Sequence, residues 1–186
     1  MKSLIIALAL SVSIVACGSQ PSKSISQPAI VQPVQYTYKV KNTYPHATHC
    51  YTQGLQYVDG LMWEGTGEYG RSLLKTTDLK TGRETTLAKL PASEFGEGIT
   101  LLGDTIYQLT WNENTCHLYD RTGRHLKDFR YTGERWGLAT DGHRLYFSNG
   151  TPTIYRLDPE TFRREGSILV TLKGEPVNYI NELEWI

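Results

Sequence analysis

The stretch that decides the fold is EFGEGITLLGDTIYQLTW, residues 94–111. It contains two short apolar runs, separated by the dipeptide Gly103-Asp104. A glycine and an acid between two alternating apolar runs are typical of a β-hairpin with a tight turn. The stretch therefore predicts two antiparallel strands, the first of which opens on Glu97 between two glycines.

The same hairpin pattern occurs three times along the chain. GLQYVDGLMW begins at Gly54, GITLLGDTIY at Gly98 and GLATDGHRLY at Gly137, which gives spacings of 44 and 39 residues. A second marker has almost the same period, an aspartate that ends a strand and begins a turn. It occurs at Asp78, Asp120 and Asp158. Two independent markers thus agree on a repeat of about 40 residues with about four short strands in each.

A repeat of this length and strand number is the signature of a β-propeller blade, so we predict an all-β fold of the propeller class. Three periods are complete, and NELEWI (residues 181–186) begins a fourth where the next inner strand should lie. YTYKVK (residues 36–41) has the pattern of a strand that could complete the last blade. Because a propeller needs at least four blades to close, we expect a sequence truncated at its C-terminus.

Composition excludes some classes of function. Nineteen Lys and Arg residues balance nineteen Asp and Glu residues, and no basic stripe is present, so nucleic acid is not an expected partner. The 12 Tyr, 4 Trp and 17 Gly residues fit a β protein rich in turns. We expect a monomer.

The N-terminal residues have the pattern of an export signal. Residues 1–16 have a short positive start and an apolar run, and they end in Ile14-Val15-Ala16 before Cys17. This pattern resembles the lipobox of bacterial lipoproteins, in which the cysteine is lipid-modified; an ordinary secretory signal is the alternative. Residues 17–35 then predict a flexible tether, and residues 36–186 the folded domain. These features predict a domain anchored by lipid to a bacterial membrane, in the periplasm or outside the cell.

The remaining cysteines and the histidines leave less to infer. Cys50 and Cys116 either form a disulfide in an oxidising compartment or remain free thiols. The five histidines (residues 46, 49, 117, 125 and 143) form no H-E-x-x-H motif. His46 and His49 lie three apart near Cys50, which is more typical of loop polarity than of a ligand set. We therefore expect no catalytic metal and no cofactor.

Four segments resemble the plant-type glutaminyl-peptide cyclotransferases, which include bacterial members. They are CYTQGL (50–55), the stretch 94–111, GERWGLATDG (133–142) and NELEWI (181–186). The resemblance implies a five-bladed propeller, unrelated to the zinc-dependent animal enzymes. It also implies an enzyme that converts the N-terminal glutamine of peptides or proteins to pyroglutamate and releases ammonia.

The resemblance also implies roles for individual residues. Glu97 corresponds to the family's catalytic acid and base, and Asn181 to an asparagine that polarises the substrate amide. The pocket positions of the family fall on Tyr51, Gln53, Phe95, Trp111 and Trp136. The first strand of each propeller blade lines the central channel. Because they lie at or just before that strand in four successive blades, we expect five of these residues to converge at one mouth of the channel: Tyr51, Gln53, Glu97, Trp136 and Asn181. A carboxylate among aromatic walls should have a raised pKa.

A different class of function remains open from the sequence. Propellers serve many unrelated purposes, so the chain could equally be a non-catalytic lipoprotein that binds a peptide or a cell-surface partner. In that case Glu97 would be a solvated strand end, and the tryptophans would only pack between blades.

Overall fold

A computed structural model describes residues 34–186, which form strands, turns and irregular segments. Three four-stranded antiparallel sheets follow one another along the chain. The first comprises β1 (Thr52–Val58), β2 (Leu61–Thr66), β3 (Leu73–Asp78) and β4 (Glu84–Lys89). The second comprises β5 (Gly96–Leu102), β6 (Thr105–Thr110), β7 (Thr115–Asp120) and β8 (His125–Arg130). The third comprises β9 (Leu138–Thr140), β10 (Leu145–Phe147), β11 (Thr153–Leu157) and β12 (Arg164–Leu169).

A short hairpin of β13 (Thr171–Leu172) and β14 (Glu175–Pro176) follows the third sheet. In each four-stranded sheet the strands pair in chain order, as blades of a propeller do. The prediction of a propeller with three complete blades is therefore confirmed. Within residues 34–186 no helix has the length and apolar character needed to cross a membrane.

The structure explains both sequence markers of the repeat, the hairpin turn and the aspartate that begins the next turn. Asp59 and Gly60 have φ angles of 52° and 83°, as a tight turn between β1 and β2 requires. At the next marker, the Asp120 carboxylate accepts hydrogen bonds from the backbone N–H and the hydroxyl of Thr122, at 2.9 and 2.6 Å. Asp78 and Asp158 hold their turns in the same way.

The glycines that begin the hairpins allow the inner strands to approach one another. A Cβ atom added to Gly54 would lie 2.3 Å from the backbone nitrogen of Ile99, and one added to Gly98 would lie 2.5 Å from the Trp136 carbonyl oxygen. At Gly137 the obstacle would be the Asn181 carbonyl oxygen, 2.2 Å away. The periodic glycines thus mark where β1, β5, β9 and residues 181–183 pass side by side.

Residues 181–186 therefore lie where the fourth inner strand was expected, but they form no strand. Residues 36–41 also form no strand, and their side chains are exposed, so that prediction is wrong for the described chain. The physical reason is the same in both places. Neither segment is paired with a described strand in a hydrogen-bonded ladder.

Two hydrophobic clusters join the blades. Trp63 and Leu74 of the first blade pack with Ile99, Ile106 and other residues of the second. A larger cluster joins the second blade to the third; its buried members are Tyr107, Leu109, Cys116, Leu118, Leu138, Leu145, Phe147, Leu157 and Phe162. Each fully buried aliphatic side chain contributes roughly 1.5–3 kcal/mol of transfer free energy, so the blades stabilise one another.

The two cysteines of the described chain are free, which corrects the disulfide alternative. Cys116 is fully buried in the cluster between the second and third blades. Cys50 lies before β1, where its sulfur contacts the side chains of Lys75 and Glu84 in the first blade. The signal at residues 1–16, Cys17 and all but the end of the tether lie outside the described residues.

Candidate active site

Two equivalent β-bulges direct polar side chains to one end of the inner strands. In β1 the pairing with β2 shifts between Thr52 and Gly54, which leaves Gln53 as the extra residue. In β5 the pairing with β6 shifts between Gly96 and Ile99, around Glu97. A bulge rotates the side chain of the extra residue out of the regular alternation. Gln53 and Glu97 are thereby placed in the same cavity.

That cavity has a volume of about 340 Å³. Its lining consists of all seven residues that the sequence predicted for the site: Tyr51, Gln53, Phe95, Glu97, Trp111, Trp136 and Asn181. They come from the openings of β1, β5 and β9, from the end of β6 and from the fourth inner position. The expected convergence of these distant segments therefore occurs.

Phe95 is the centre of an aromatic wall. Its ring contacts those of Tyr51 and Trp111 edge to face, with centroids 6.1 and 5.7 Å away. Tyr69 packs against it from a third side, at 5.5 Å. A Cβ atom at Gly67 would lie 2.4 Å from the Phe95 ring, so this wall requires glycine there. Edge-to-face pairs hold rings in fixed relative orientations, which makes the wall rigid.

Another part of the lining is built from Trp136 and the segment that carries Asn181. The Trp136 indole N–H donates to a Glu134 carboxylate oxygen at 3.0 Å. Its ring covers Gly150, where a Cβ atom would lie 2.3 Å from it. The Ser148 hydroxyl donates to the Asn181 carbonyl oxygen, and Gly137 N–H donates to the same hydroxyl at 2.9 Å. These backbone contacts hold the segment of Asn181 beside β9.

Glu97 is the unusual residue of the cavity. It is 5% exposed, and one of its carboxylate oxygens is buried without any hydrogen-bond partner. Burial, with smaller contributions from the carboxylates of Glu134 and Glu113, raises the pKa of Glu97 from 4.5 to about 8. The raised pKa agrees with the sequence expectation. An acid with this pKa is mostly protonated at pH 7 and can both give and take a proton near neutrality.

Three residues that support the cavity were not predicted from the sequence: Tyr69, Glu113 and Glu134. Glu113 accepts a hydrogen bond from the Tyr69 hydroxyl at 3.0 Å and another from the Phe95 backbone N–H at 3.2 Å. Glu134 orients Trp136. None of the three residues belongs to a repeat marker, and a single acid or tyrosine in a loop does not by itself indicate a role in a binding site. Only the tertiary contacts reveal them.

A second, larger cavity of about 400 Å³ shares Tyr51 with the first. Its lining includes Glu68 and Arg71, which form an ion pair with each other. It contains no counterpart of Glu97, because no described carboxylate of its lining is both buried and unpaired. The smaller cavity is therefore the candidate active site.

Comparison with known proteins agrees with this geometry. The family model described as glutamine cyclotransferase matches residues 8–186. A glutaminyl-peptide cyclotransferase of Arabidopsis thaliana is 42% identical over 146 residues, which are 77% of this chain and 46% of that protein. The crystal structure of Myxococcus xanthus glutaminyl cyclase superposes with a TM-score of 0.68 at 33% identity, over 77% of this chain and 61% of that one.

A more distant likeness concerns the fold alone. A Bacteroides caccae protein of unknown function superposes with a TM-score of 0.53 at 12% identity, over 72% of this chain and 52% of that one. The chain spans about half the length of the Arabidopsis relative. Because the family model covers almost all of the sequence and the cavity holds every predicted site residue, the chain belongs to the glutamine cyclotransferase family.

Proposed function

We propose that this protein is a glutaminyl-peptide cyclotransferase, which converts the N-terminal glutamine of peptides or proteins to pyroglutamate. The observation that carries the proposal is the buried, unpartnered carboxyl group of Glu97 in a cavity with aromatic walls. The names of the Arabidopsis and Myxococcus relatives support it.

The reaction needs little from the protein beyond proton transfer and orientation. The substrate's α-amine attacks the δ-carbon of its own side-chain amide, a C–N bond forms, and the amide C–N bond breaks to release ammonia. Because nucleophile and electrophile belong to one residue, most of the entropic barrier is already removed. The amine must lose a proton, and the leaving nitrogen must gain one.

Glu97 is suited to both proton transfers. An N-terminal amine has a pKa of about 7.7–8.0 in water. Burial raises the pKa of Glu97 to about 8, so the two groups exchange a proton with almost no free-energy difference. Glu97 takes the proton of the attacking amine and passes it to the departing ammonia. One group suffices if both nitrogens lie within hydrogen-bond reach of it.

The other residues bind and orient the substrate glutamine. The Asn181 side-chain amide donates to the amide oxygen as negative charge develops there. The aromatic wall of Tyr51, Phe95 and Trp111 packs against the aliphatic stem of the substrate. Gln53 supplies a further hydrogen-bonding group in the cavity of Glu97. No step requires a cofactor.

The test is a Glu97→Gln variant, which keeps the shape of the side chain and removes its acid. We expect ammonia release from a Gln-initiated peptide to fall at least about 100-fold. Peptide binding, followed by the fluorescence of the cavity tryptophans, should persist. Glu165→Gln on the outer strand β12 is the matched control and should retain full turnover.

Two results would overturn the proposal. Unchanged turnover in Glu97→Gln would remove Glu97 from the chemistry. Saturable peptide binding by the unaltered protein without any release of ammonia would favour the non-catalytic binding protein instead.

We further propose that the protein is exported, processed before Cys17, anchored through a lipid on that residue, and monomeric. The support is the sequence pattern of residues 1–17, with its apolar run and small residues before the cysteine. Metabolic labelling with a radioactive fatty acid in a bacterial host should mark the protein, and Cys17→Ser should abolish the label. A fatty-acid label that persists in Cys17→Ser would contradict the proposal. Size-exclusion chromatography with light scattering tests the monomer.

A further inference from the structure

A second cluster of reactive side chains lies on the outer strands of the second blade, away from the candidate active site. His117 on β7 and His125 and Asp128 on β8 bring their ligand atoms within 4.8 Å of one another. The Asp128 Oδ1 atom is 2.8 Å from His117 Nδ1 and 2.7 Å from His125 Nε2. Two imidazole nitrogens and a carboxylate oxygen are ligands that zinc and similar ions prefer.

A β-bulge creates this cluster. His117 pairs with Asp128 across the two strands, and the pairing then shifts so that Tyr119 faces His125 instead of Leu126. Without the extra residue, Leu126 would share the face of Asp128 and His125 would point away. The bulge therefore exchanges an apolar side chain for a third polar one on the same face. The spacing of the histidines along the sequence does not predict this exchange.

A buried carboxylate orients the innermost histidine. The Nε2 atom of His117 lies 2.6 Å from a carboxylate oxygen of Glu94, and both side chains are largely buried. A neutral histidine that donates from Nε2 presents a lone pair at Nδ1, directed at the oxygen of Asp128. In that tautomer Nδ1 can bind a metal ion together with the Asp128 oxygen. A carboxylate on the far nitrogen is the usual support of a histidine that binds metal.

The charges around the cluster also favour a cation. Within the described chain, the ion pairs of Asp128 and Glu94 involve histidines only, and no Lys or Arg neutralises either carboxylate. The other group with suitable ligands, His49, Cys50 and Glu84, differs in this respect. The Lys75 ammonium contacts both the sulfur of Cys50 and the carboxylate of Glu84, so a cation already occupies that place.

We propose that His117, His125 and Asp128 bind one divalent transition-metal ion of the zinc class. Three protein ligands leave one position for water in a tetrahedral site. The site is separate from the candidate active site, because it lies on the outer strands of the second blade and shares no residue with the cavity of Glu97. Through His117 and Glu94 the ion stabilises the segment that leads into Phe95 and β5. This proposal does not depend on the proposed enzymatic activity.

The experiment uses the full chain, stripped with a chelator and then dialysed, with Zn²⁺ as the probe in calorimetric titration and thermal melting. We expect one Zn²⁺ per chain and a rise in Tm of roughly 5 °C at a hundredfold excess over Kd. The exposed ligands can be changed without disturbing the core, so His125→Ala and Asp128→Asn should each weaken binding at least tenfold. Glu94→Gln should weaken it by about 10–100-fold through the orientation of His117.

Two matched controls make the assignment specific. His143→Ala removes a histidine outside the cluster, and Cys50→Ser removes the thiol of the competing group; both should bind Zn²⁺ as the unaltered chain does. Co²⁺ should give the intense visible absorption of a tetrahedral site, and this absorption should disappear in Asp128→Asn. Absence of saturable Zn²⁺ binding, or binding that persists in both His125→Ala and Asp128→Asn, would overturn the proposal.

Discussion

Two buried glutamates in neighbouring blades have opposite surroundings. Glu64 on β2 is fully buried, and its carboxylate lies 3.0 Å from the Lys75 ammonium and accepts a hydrogen bond from the Thr52 hydroxyl at 2.6 Å. Glu97 on β5 is almost as buried, but it has no such partner among the described residues, and one of its oxygens contacts no donor.

The difference distinguishes an acid in an ion pair from the acid proposed as the proton carrier. Burial by itself lowers the pKa of Lys75, but its contacts with Cys50, Glu84 and Glu64 outweigh this effect and hold the pKa above its usual value. The charged ammonium of Lys75 therefore remains beside the Glu64 carboxylate within the first blade. Glu97 has no such compensation, so its protonated form is favoured instead. A buried acid without a partner is destabilising when it ionises, which is why such groups concentrate at functional sites.

The largest expected effect comes from breaking the paired acid. Lys75→Met should lower the free energy of unfolding by roughly 3–5 kcal/mol, because it leaves the Glu64 carboxylate buried without its cation. Urea unfolding followed by tryptophan fluorescence measures the loss. The double variant Lys75→Met/Glu64→Gln should regain more than half of it. A double variant no more stable than Lys75→Met would show that the buried charge is not the cause.

The unpaired acid should make the stability of the protein depend on pH. The folded-state pKa of Glu97 is about 8 and its ordinary value is 4.5, so the folded state holds the extra proton between these pH values. The stabilisation is complete below pH 4.5 and is lost as the pH rises through 8. Between pH 5 and pH 9, the unaltered protein should therefore lose roughly 1–4 kcal/mol of stability relative to Glu97→Gln. Parallel stability curves for the two proteins would contradict the unpaired burial of Glu97.

A smaller effect should come from the wall beside Glu97. The Cβ atom introduced by Gly67→Ala would lie within 2.5 Å of the Phe95 ring and must displace it. We expect KM for a Gln-initiated peptide to rise about tenfold, a loss of roughly 1.4 kcal/mol in binding, while kcat changes little. Gly166→Ala is the control, because its nearest neighbour is a flexible Arg156 side chain at 3.4 Å. Equal effects of the two substitutions on KM would contradict the role of the wall.

The repeats made the fold predictable, because each marker recurs once per blade. The inner strands approach one another closely at Gly54, Gly98 and Gly137, and Asp120 and its equivalents hold their own turns. Both features recur at almost the same interval, so the period could be found from the sequence alone. The propeller and its three blades follow from that period. The seven cavity residues were predicted from the resemblance of ordered segments to a family, and a regular strand alternation would not have indicated where Glu97 points.

What the sequence did not predict depends on contacts between distant residues. Lys75 looks like an ordinary exposed lysine until β3 places it beside Glu64. The hydrogen bonds of Glu113 to Tyr69 and Phe95 join three separate loops. Bulges determine where Gln53, Glu97 and His125 point, since a single extra residue reverses which side chains share a face, and no local sequence motif marks its position.

The most direct test of the central claim is the titration of the Glu97 carboxyl group in the folded protein. Carbon-13 NMR of protein labelled at the glutamate side-chain carboxyl carbon, compared with Glu97→Gln, isolates its resonance between pH 4 and pH 10. The buried and unpaired environment predicts a midpoint near pH 8. A midpoint near the ordinary 4.5 would show that Glu97 is solvated or paired, and would contradict its role as the proton carrier.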